Sequence, residues 1–181
     1  MITGPSGVGK GTLIRGLVEQ VPQLELSVSA TTRSPRPGER DGVDYHFLTP
    51  DEFERRVATG AFVEHASYSG HQYGTLRAEV ERRLAQGRPV VLEIEVQGAR
   101  QVRETMPDAV AVFIAPPSLP ALRARLIGRG TDTAAQVDER MRTAERELEA
   151  QPEFPHVVVN DRLERATDEL AAIVTATLAG R

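Results

Sequence analysis

One residue stands apart chemically in this chain. Lys10 is the only lysine; every other member of the 22 Lys and Arg residues is arginine. It lies in Gly4-Pro5-Ser6-Gly7-Val8-Gly9-Lys10-Gly11-Thr12, where Gly4 and the Gly9-Lys10 pair have the spacing of a phosphate-binding loop. Consecutive backbone N–H groups can curl around an anion only if side chains stay clear, which accounts for the glycines at 4, 7 and 9. A compact ammonium on a flexible stem reaches the outer phosphates in a glycine-lined cradle that a planar guanidinium does not fit. Residues Thr12 to Val21 are predicted to be helical, with Leu13, Leu17 and Val21 four apart on one face, and the helix N-terminus adds free amides and a favourable dipole. The strict motif has Ser or Thr directly after the lysine; here Gly11 intervenes and Thr12 follows. The plainer reading, a glycine-rich turn before a helix, leaves the lone lysine unexplained.

A second group of residues suits an anion and a polar ring. The stretch Ser27-Val28-Ser29-Ala30-Thr31-Thr32-Arg33-Ser34-Pro35-Arg36-Pro37-Gly38-Glu39 packs hydroxyls and guanidiniums into a proline-stiffened turn. Arg33 and Arg36 can fork onto phosphate oxygens, and Tyr45 and Tyr73 can donate phenolic hydrogens to the same group. The competing reading pairs Arg33 and Arg36 with Glu39 or Asp41 on the surface. Glu64 lies in the apolar stretch Phe62-Val63-Glu64-His65, where strict alternation cannot place it and all its apolar neighbours on one face. A carboxylate facing a cleft accepts well from two adjacent N–H groups on a ring; guanine offers such a pair and adenine does not. Thr75 can donate to a ring carbonyl.

A third group is the set of arginines late in the chain. Arg125 and Arg129 are four apart and share a helix face if the helix runs through Gly128. Gly128-Arg129-Gly130-Thr131 forms a flexible corner, and Arg140 lies on the following helix. Two arginine-bearing helices joined by such a corner suit a lid that closes on phosphates. Arg142 and Arg146 read instead as solvated helix residues paired with glutamates.

The elements that must hold these groups alternate. Strands are expected at Leu24–Ser29, Val43–Leu48, Ala61–Ser67, His71–Tyr73, Val90–Glu95, Ala109–Ala115 and His156–Asn160. Helices are expected from Pro50 to about Thr59 with Thr49 as N-cap, and at Leu76–Gln86, Gly98–Glu104, Leu119–Ile127, Thr133–Ala150 and Arg162–Leu178. This order predicts an α/β fold, a parallel-sheet core with helices on both faces. The crowded middle reads as an inserted small mixed β lobe. The expected division is a core of 1–30, 76–118 and 147–181, a lobe at 31–75 and a helical lid at about 119–146, within one domain. Only Met1-Ile2-Thr3 precede Gly4, so either the strand before the loop is very short or the natural start lies upstream.

Composition narrows the partners. The formal charge is −4 and aromatic residues make up 4% of the chain, which argues against a nucleic-acid partner that needs a basic face or stacking platforms. No cysteine is present, so disulfides and thiolate metal sites are excluded. The longest apolar run, Ala109 to Ala115, is far short of the about 20 residues a spanning helix needs. The expectation is a cytoplasmic protein with no membrane association, no nucleic acid and no obligatory protein partner.

Taken together, Gly4–Thr12, Ser27–Glu39, Tyr73-Gly74-Thr75, Gln97-Gly98-Ala99, Gly128-Arg129-Gly130-Thr131 and Val158-Val159-Asn160-Asp161 resemble the guanylate kinases, P-loop nucleoside monophosphate kinases, over nearly the full length. The resemblance implies transfer of a phosphoryl group from ATP to GMP. It implies that Gly4, Pro5, Ser6, Gly7, Val8, Gly9, Lys10, Gly11 and Thr12 bind ATP, with Asn160 near the adenine. Ser29, Arg33, Arg36, Tyr45 and Tyr73 would hold the monophosphate, and Glu64, Thr75 and Glu95 would read the guanine. Lys10, Arg125, Arg129 and Arg140 would act on the transferring group. No protein metal site is implied; Mg²⁺ would be held mainly through ATP phosphates and water. Three departures stand out: the short first strand, glutamate at Glu93 and Glu95 where the family usually has aspartate, and His71-Gln72 in place of a pair that is commonly Asn and Tyr. Two other readings remain: a related P-loop kinase of a phosphorylated sugar, and a catalytically silent guanylate kinase-like interaction module.

Overall fold

The computed structural model describes residues 1–68, 70–128, 130 and 133–180. The chain divides into two compact units, residues 1–22 with 110–181, and residues 23–109.

The first unit is built on three parallel strands, β1 (Ile2–Thr3), β8 (Val112–Ala115) and β9 (His156–Val159), in the order β1-β8-β9. All four residues of β8 are buried, as its uninterrupted apolar composition requires of a strand covered on both faces. The expected strand at Ala109–Ala115 therefore starts three residues late, after a turn in which Ala109 N–H donates to Met106 O. Helix α1 (Lys10–Gln20) begins at the loop and buries Leu13, Ile14 and Leu17. It packs on α7 (Leu163–Ala179), and the two approach so closely that a Cβ on Gly16 would lie 2.9 Å from the Thr167 methyl. Helices α5 (Leu119–Gly128) and α6 (Ala134–Leu148) pack together and are tied by Arg123 to Asp138 at 2.7 Å. A capping box starts α6: the Thr133 hydroxyl accepts from Gln136 N–H while the Gln136 side chain accepts from Thr133 N–H.

The second unit holds a parallel pair, β2 (Glu25–Leu26) with β7 (Val90–Val91), and a mixed four-stranded sheet. That sheet has the order β4-β3-β6-β5, from β3 (Ser29–Thr31), β4 (His46–Phe47), β5 (Phe62–Tyr68) and β6 (His71–Leu76). Helix α2 (Pro50–Ala58) starts as expected, with the Thr49 hydroxyl accepting from Glu52 N–H and Pro50 at the first position. Its Phe53 stacks on Phe62 at 4.5 Å and, with Ala30, forms a small core flanked by Leu48, Val57 and Leu76. Helices α3 (Arg77–Ala85) and α4 (Val96–Thr105) complete the unit.

Among the described residues, then, the parallel strands fall into a group of three, the pair β2-β7 and the pair β3-β4 within the mixed sheet, rather than one ladder. Two expected strands account for this. The predicted strand Leu24–Ser29 changes partners midway: Ser27 N–H still donates to Val91 O, while Val28 N–H turns to the Glu79 carboxylate. From Ser29 the chain pairs with β6 instead. The predicted strand Val90–Glu95 keeps a ladder only at Val90 and Val91, because its partner strand is two residues long.

Candidate active site

In the first unit the loop 4–9 owes its shape to backbone conformations that side chains resist. Gly4, Gly7 and Gly9 have φ of 141°, 86° and 99°. Space is refused as well. A Cβ would lie 2.2 Å from Ile114 O at Gly4, 2.6 Å from a Leu126 methyl at Gly7 and 2.7 Å from Asn160 Nδ2 at Gly9. Gly9 is the N-cap of α1, and its carbonyl accepts from Thr12 and Leu13 N–H at 3.1 Å each. Lys10 is buried, and its Nζ donates to Gly4 O at 2.6 Å, so the ammonium is folded back across the loop. Thr12 is exposed, in the first turn of the helix, with its hydroxyl accepting from Arg15 at 3.2 Å.

Side chains from distant elements hold the loop in place. The Arg140 guanidinium on α6 donates to Ser6 Oγ at 2.8 Å, and Ser6 N–H donates to Glu147 on the same helix at 3.4 Å. Asn160 Nδ2 donates to Val8 O at 2.8 Å. Arg125 donates to Val8 O at 3.2 Å and to Asn160 O at 2.7 Å. Four expected residues, Lys10, Arg125, Arg140 and Asn160, thus converge on one loop. Arg129 lies outside the described residues. Glu147 went unnoticed in the sequence, where it looks like one more acidic residue of a polar helix.

In the second unit strand register gathers the other group. Across β5, β6 and β3, Glu64 pairs with Thr75 and Thr75 with Ser29; one row on, Ala66 pairs with Tyr73 and Tyr73 with Thr31. Directly paired residues share a face, so Glu64, Thr75 and Ser29 form one transverse row. The register slips between Phe62 and Glu64, a bulge that lets Phe62, Val63 and Glu64 all be buried. This resolves the alternation problem posed by the sequence. Glu64 is 4% exposed, and its Oε1 accepts from the Thr75 hydroxyl at 2.7 Å. That donation commits the one Thr75 proton, leaving its lone pairs for other contacts. Burial, opposed by the Thr75 bonds and reinforced by the charge of nearby Glu95, raises the Glu64 carboxyl to about 7. Glu95 is half-buried at the N-cap of α4.

Arg33, Tyr45 and Tyr73 form a second cluster. The Arg33 guanidinium lies 5.2 Å from the Tyr45 ring centre and 5.9 Å from that of Phe47, and Tyr45 meets Tyr73 edge-on at 6.2 Å. Arg33 also donates to Glu39 Oε1 at 2.8 Å and to Ser34 O at 2.7 Å. Glu39 takes a second bond from Arg36 N–H at 2.7 Å, while the Arg36 side chain is exposed. Pairing with Glu39 raises the Arg33 pKa, and the same pair, with the Arg36 N–H, holds Glu39 below the usual carboxylate range. Burial raises the Tyr45 phenol, helped by Tyr73 and Glu93, so it stays a neutral donor. Among the described residues no group of three His, Asp or Glu side chains is placed to hold a metal ion, and no helix is long and apolar enough to cross a membrane.

Residues 1–177 match the model of the guanylate kinase family. A guanylate kinase of Synechococcus sp. strain CC9902 is 54% identical over 94% of this chain and 91% of its own length. That of Mycobacterium bovis is 50% identical over 99% of this chain and 88% of its own. The crystal structure of guanylate kinase from Anaplasma phagocytophilum is similar with a TM-score of 0.78 and 32% identity, over 97% of this chain and 84% of that one. A gluconokinase from Sinorhizobium meliloti, 19% identical with a TM-score of 0.51, shares the fold alone. With a phosphate loop cradled by glycines around a single buried lysine, and full-length likeness to these relatives, the chain belongs to the guanylate kinase family.

Proposed function

We propose that this chain transfers the terminal phosphoryl group of ATP to GMP, giving ADP and GDP in the cytoplasm. The observation that carries this reading is the coexistence of an intact phosphate loop around Lys10 with a buried carboxylate, Glu64, aligned with Thr75 and Ser29. The donor occupies the loop Gly4–Thr12, with Asn160 beside the adenine end. GMP occupies the second unit: Ser29, Arg33, Arg36, Tyr45 and Tyr73 take its phosphate, and Glu64, Thr75 and Glu95 take its base. The lobe at 31–75 and the lid at about 119–146 are the moving parts of this reading.

A GMP phosphate oxygen is itself the nucleophile, so no side chain forms a covalent intermediate. Catalysis is positioning together with stabilisation of charge on the transferring group. Lys10 swings from Gly4 O to the phosphates, exchanging one carbonyl for anionic oxygens. Arg140 exchanges Ser6 Oγ for the same group, and Arg129 joins it. Arg125 starts from two carbonyls of the loop and its flank, so it steadies the loop as well as supplying charge. Mg²⁺ would supply Lewis-acid neutralisation of the phosphate charge and would be held mainly through the ATP phosphates and water. Closure around both substrates excludes water, which would otherwise hydrolyse ATP.

Base choice follows from Glu64. As a carboxylate it accepts from guanine N1–H and the exocyclic amine, whereas adenine turns an unprotonated N1 toward it. A buried acceptor facing a lone pair costs on the order of 1–3 kcal/mol or more. GMP is therefore expected to exceed AMP at least about a hundredfold in kcat/KM, roughly 3 kcal/mol. The test measures initial rates with GMP, AMP and a sugar phosphate on wild type, Glu64→Gln and Glu95→Gln. Glu64→Gln should erode selectivity more than Glu95→Gln. Equal selectivity in wild type and Glu64→Gln would remove Glu64 from the base site. Turnover of the sugar phosphate alone would favour the sugar kinase reading, and turnover of nothing would favour the silent module.

A further inference from the structure

Gly98 is the third residue of α4 and is buried. Helix propensity favours alanine over glycine there, and nothing in its backbone conformation requires glycine, since its φ is outside the positive range. The surroundings supply the reason. A Cβ on Gly98 would lie 2.2 Å from Glu64 Oε2, 3.0 Å from its Cδ and 3.4 Å from its Cγ. The other carboxylate oxygen, Oε1, is held by the Thr75 hydroxyl at 2.7 Å. The Glu64 carboxylate is therefore seated between a hydroxyl on β6 and the bare Cα of the first turn of α4. β5 and α4 are packed along their length here: Gln101, one turn further along α4, accepts from His65 N–H at 3.0 Å and donates to His65 O at 2.7 Å. The reciprocal pair fixes the spacing of helix and strand, so the helix cannot drift outward to admit a methyl.

We propose that Gly98 is a positioning residue for guanine recognition: its missing side chain is the seat that lets the Glu64 carboxylate face the base with Thr75 on its other side. This rests on the reading of Glu64 as the base acceptor. The first atom that a methyl at 98 meets is the end of a side chain rather than backbone, so the strain falls on the pose of the carboxylate and not on the helix. The displaced carboxylate loses either its Thr75 bond or its aim at the ring edge. The phosphate loop, in the other unit, has no part in the effect.

The experiment is a cycle of Gly98→Ala, Glu64→Ala and the double variant, each assayed for KM with GMP, KM with ATP, the GMP-to-AMP ratio in kcat/KM, and Tm. Gly98→Ala should raise KM for GMP at least about tenfold and lower the selectivity ratio by a similar factor, with KM for ATP unchanged. In the Glu64→Ala background, where the obstructed carboxylate is absent, the same substitution should leave KM and selectivity unmoved and Tm unchanged or higher. Gly98→Ala with wild-type KM and selectivity, while Glu64→Ala has lost selectivity, would overturn the role of Gly98 alone. Glu64→Ala with wild-type selectivity would overturn the base reading beneath it. If Gly98→Ala does not fold, the Tm of the double variant decides: recovered folding places the conflict at Glu64, and continued unfolding overturns the proposal.

Discussion

The phosphate loop and the Glu64 pocket belong to the same enzyme but are built on opposite principles. The loop is a backbone site: three glycines hold left-handed conformations, each blocked by a neighbour under 3.0 Å, and the side chains of Arg125, Arg140, Glu147 and Asn160 brace its carbonyls, a hydroxyl and an amide. The groups around Glu64 and Arg33 are side-chain sites, in which Glu64 rests on Thr75 and Arg33 on Glu39 and Tyr45. A backbone site tolerates almost no change of residue but is indifferent to pH, because peptide groups do not titrate. A side-chain site tolerates substitution with partial function and takes on the titration of its carboxylates. In the proposed reading, recognition of a phosphate, common to many substrates, sits on the rigid part, while discrimination between bases sits on the adjustable part.

The largest effect should come from the rigid part. Lys10→Ala is expected to lower turnover by several orders of magnitude, in the range of about 10³-fold or more that removal of a charge-stabilising group at a transferring phosphoryl produces. Circular dichroism and Tm should remain close to wild type. Lys10→Arg should also be poor, since a planar fork does not fit a cradle closed by Ile114 O and Leu126. Near wild-type turnover in Lys10→Ala would erase the distinction drawn between the two regions.

The arginines should divide along the same line, with effects of about ten- to a hundredfold. Arg33→Ala and Arg36→Ala should mainly raise KM for GMP. Arg129→Ala and Arg140→Ala should mainly lower kcat, because their contacts with the transferring group form on closure. Steady-state kinetics showing the reverse division would exchange the roles of the two regions.

The smallest expected effect concerns pH and belongs to the pocket alone. The Glu64 carboxyl is raised from 4.5 to about 7 in the protein without substrate. A raised acid binds its proton more tightly when folded, so its contribution to stability is present below about 4.5 and is lost as pH rises through about 7. In the proposed reading guanine N1–H requires the ionised form of Glu64, so GMP binding would expel that proton at lower pH. KM for GMP should therefore rise roughly tenfold between pH 8 and pH 6, with KM for ATP following only the titration of ATP itself. The phosphate of GMP also titrates near 6, so the comparison is with Glu64→Gln, in which the Glu64 component must vanish. An identical slope in wild type and Glu64→Gln would place the titrating group elsewhere.

Much of the molecule could be read residue by residue. The glycine spacing and lone Lys10 mark the loop, Thr49-Pro50 marks a helix start, and the order of elements is that of an α/β chain. Most of the differences are of one kind. The expected strands Leu24–Ser29, Val43–Leu48, Val90–Glu95 and Ala109–Ala115 are too long, because an apolar run reports burial and not ladder partners, while His71–Tyr73 is too short, the strand continuing to Leu76. The capping box at Thr133 and Gln136 was legible and went unread. Glu39 is the expected partner of Arg33, but the setting differs from an open surface: the two side chains are 12% and 18% exposed, and the Arg33 guanidinium lies over the Tyr45 ring.

Linear spacing was enough to mark the loop, since residues 4–9 themselves carry the glycines at which the positive φ values fall. It was not enough for the pocket. Glu64 becomes a candidate base reader through a bulge that buries it, a register that sets Thr75 and Ser29 beside it, and a helix that brings Gly98 against its oxygen. Residue type supplies the carboxylate, but which donor it meets and how far it is raised depend on pairings between segments distant in the chain. Those pairings are settled by the packing of α4 and β6 on β5, where a slip of one residue would turn the same glutamate to the opposite face of the sheet.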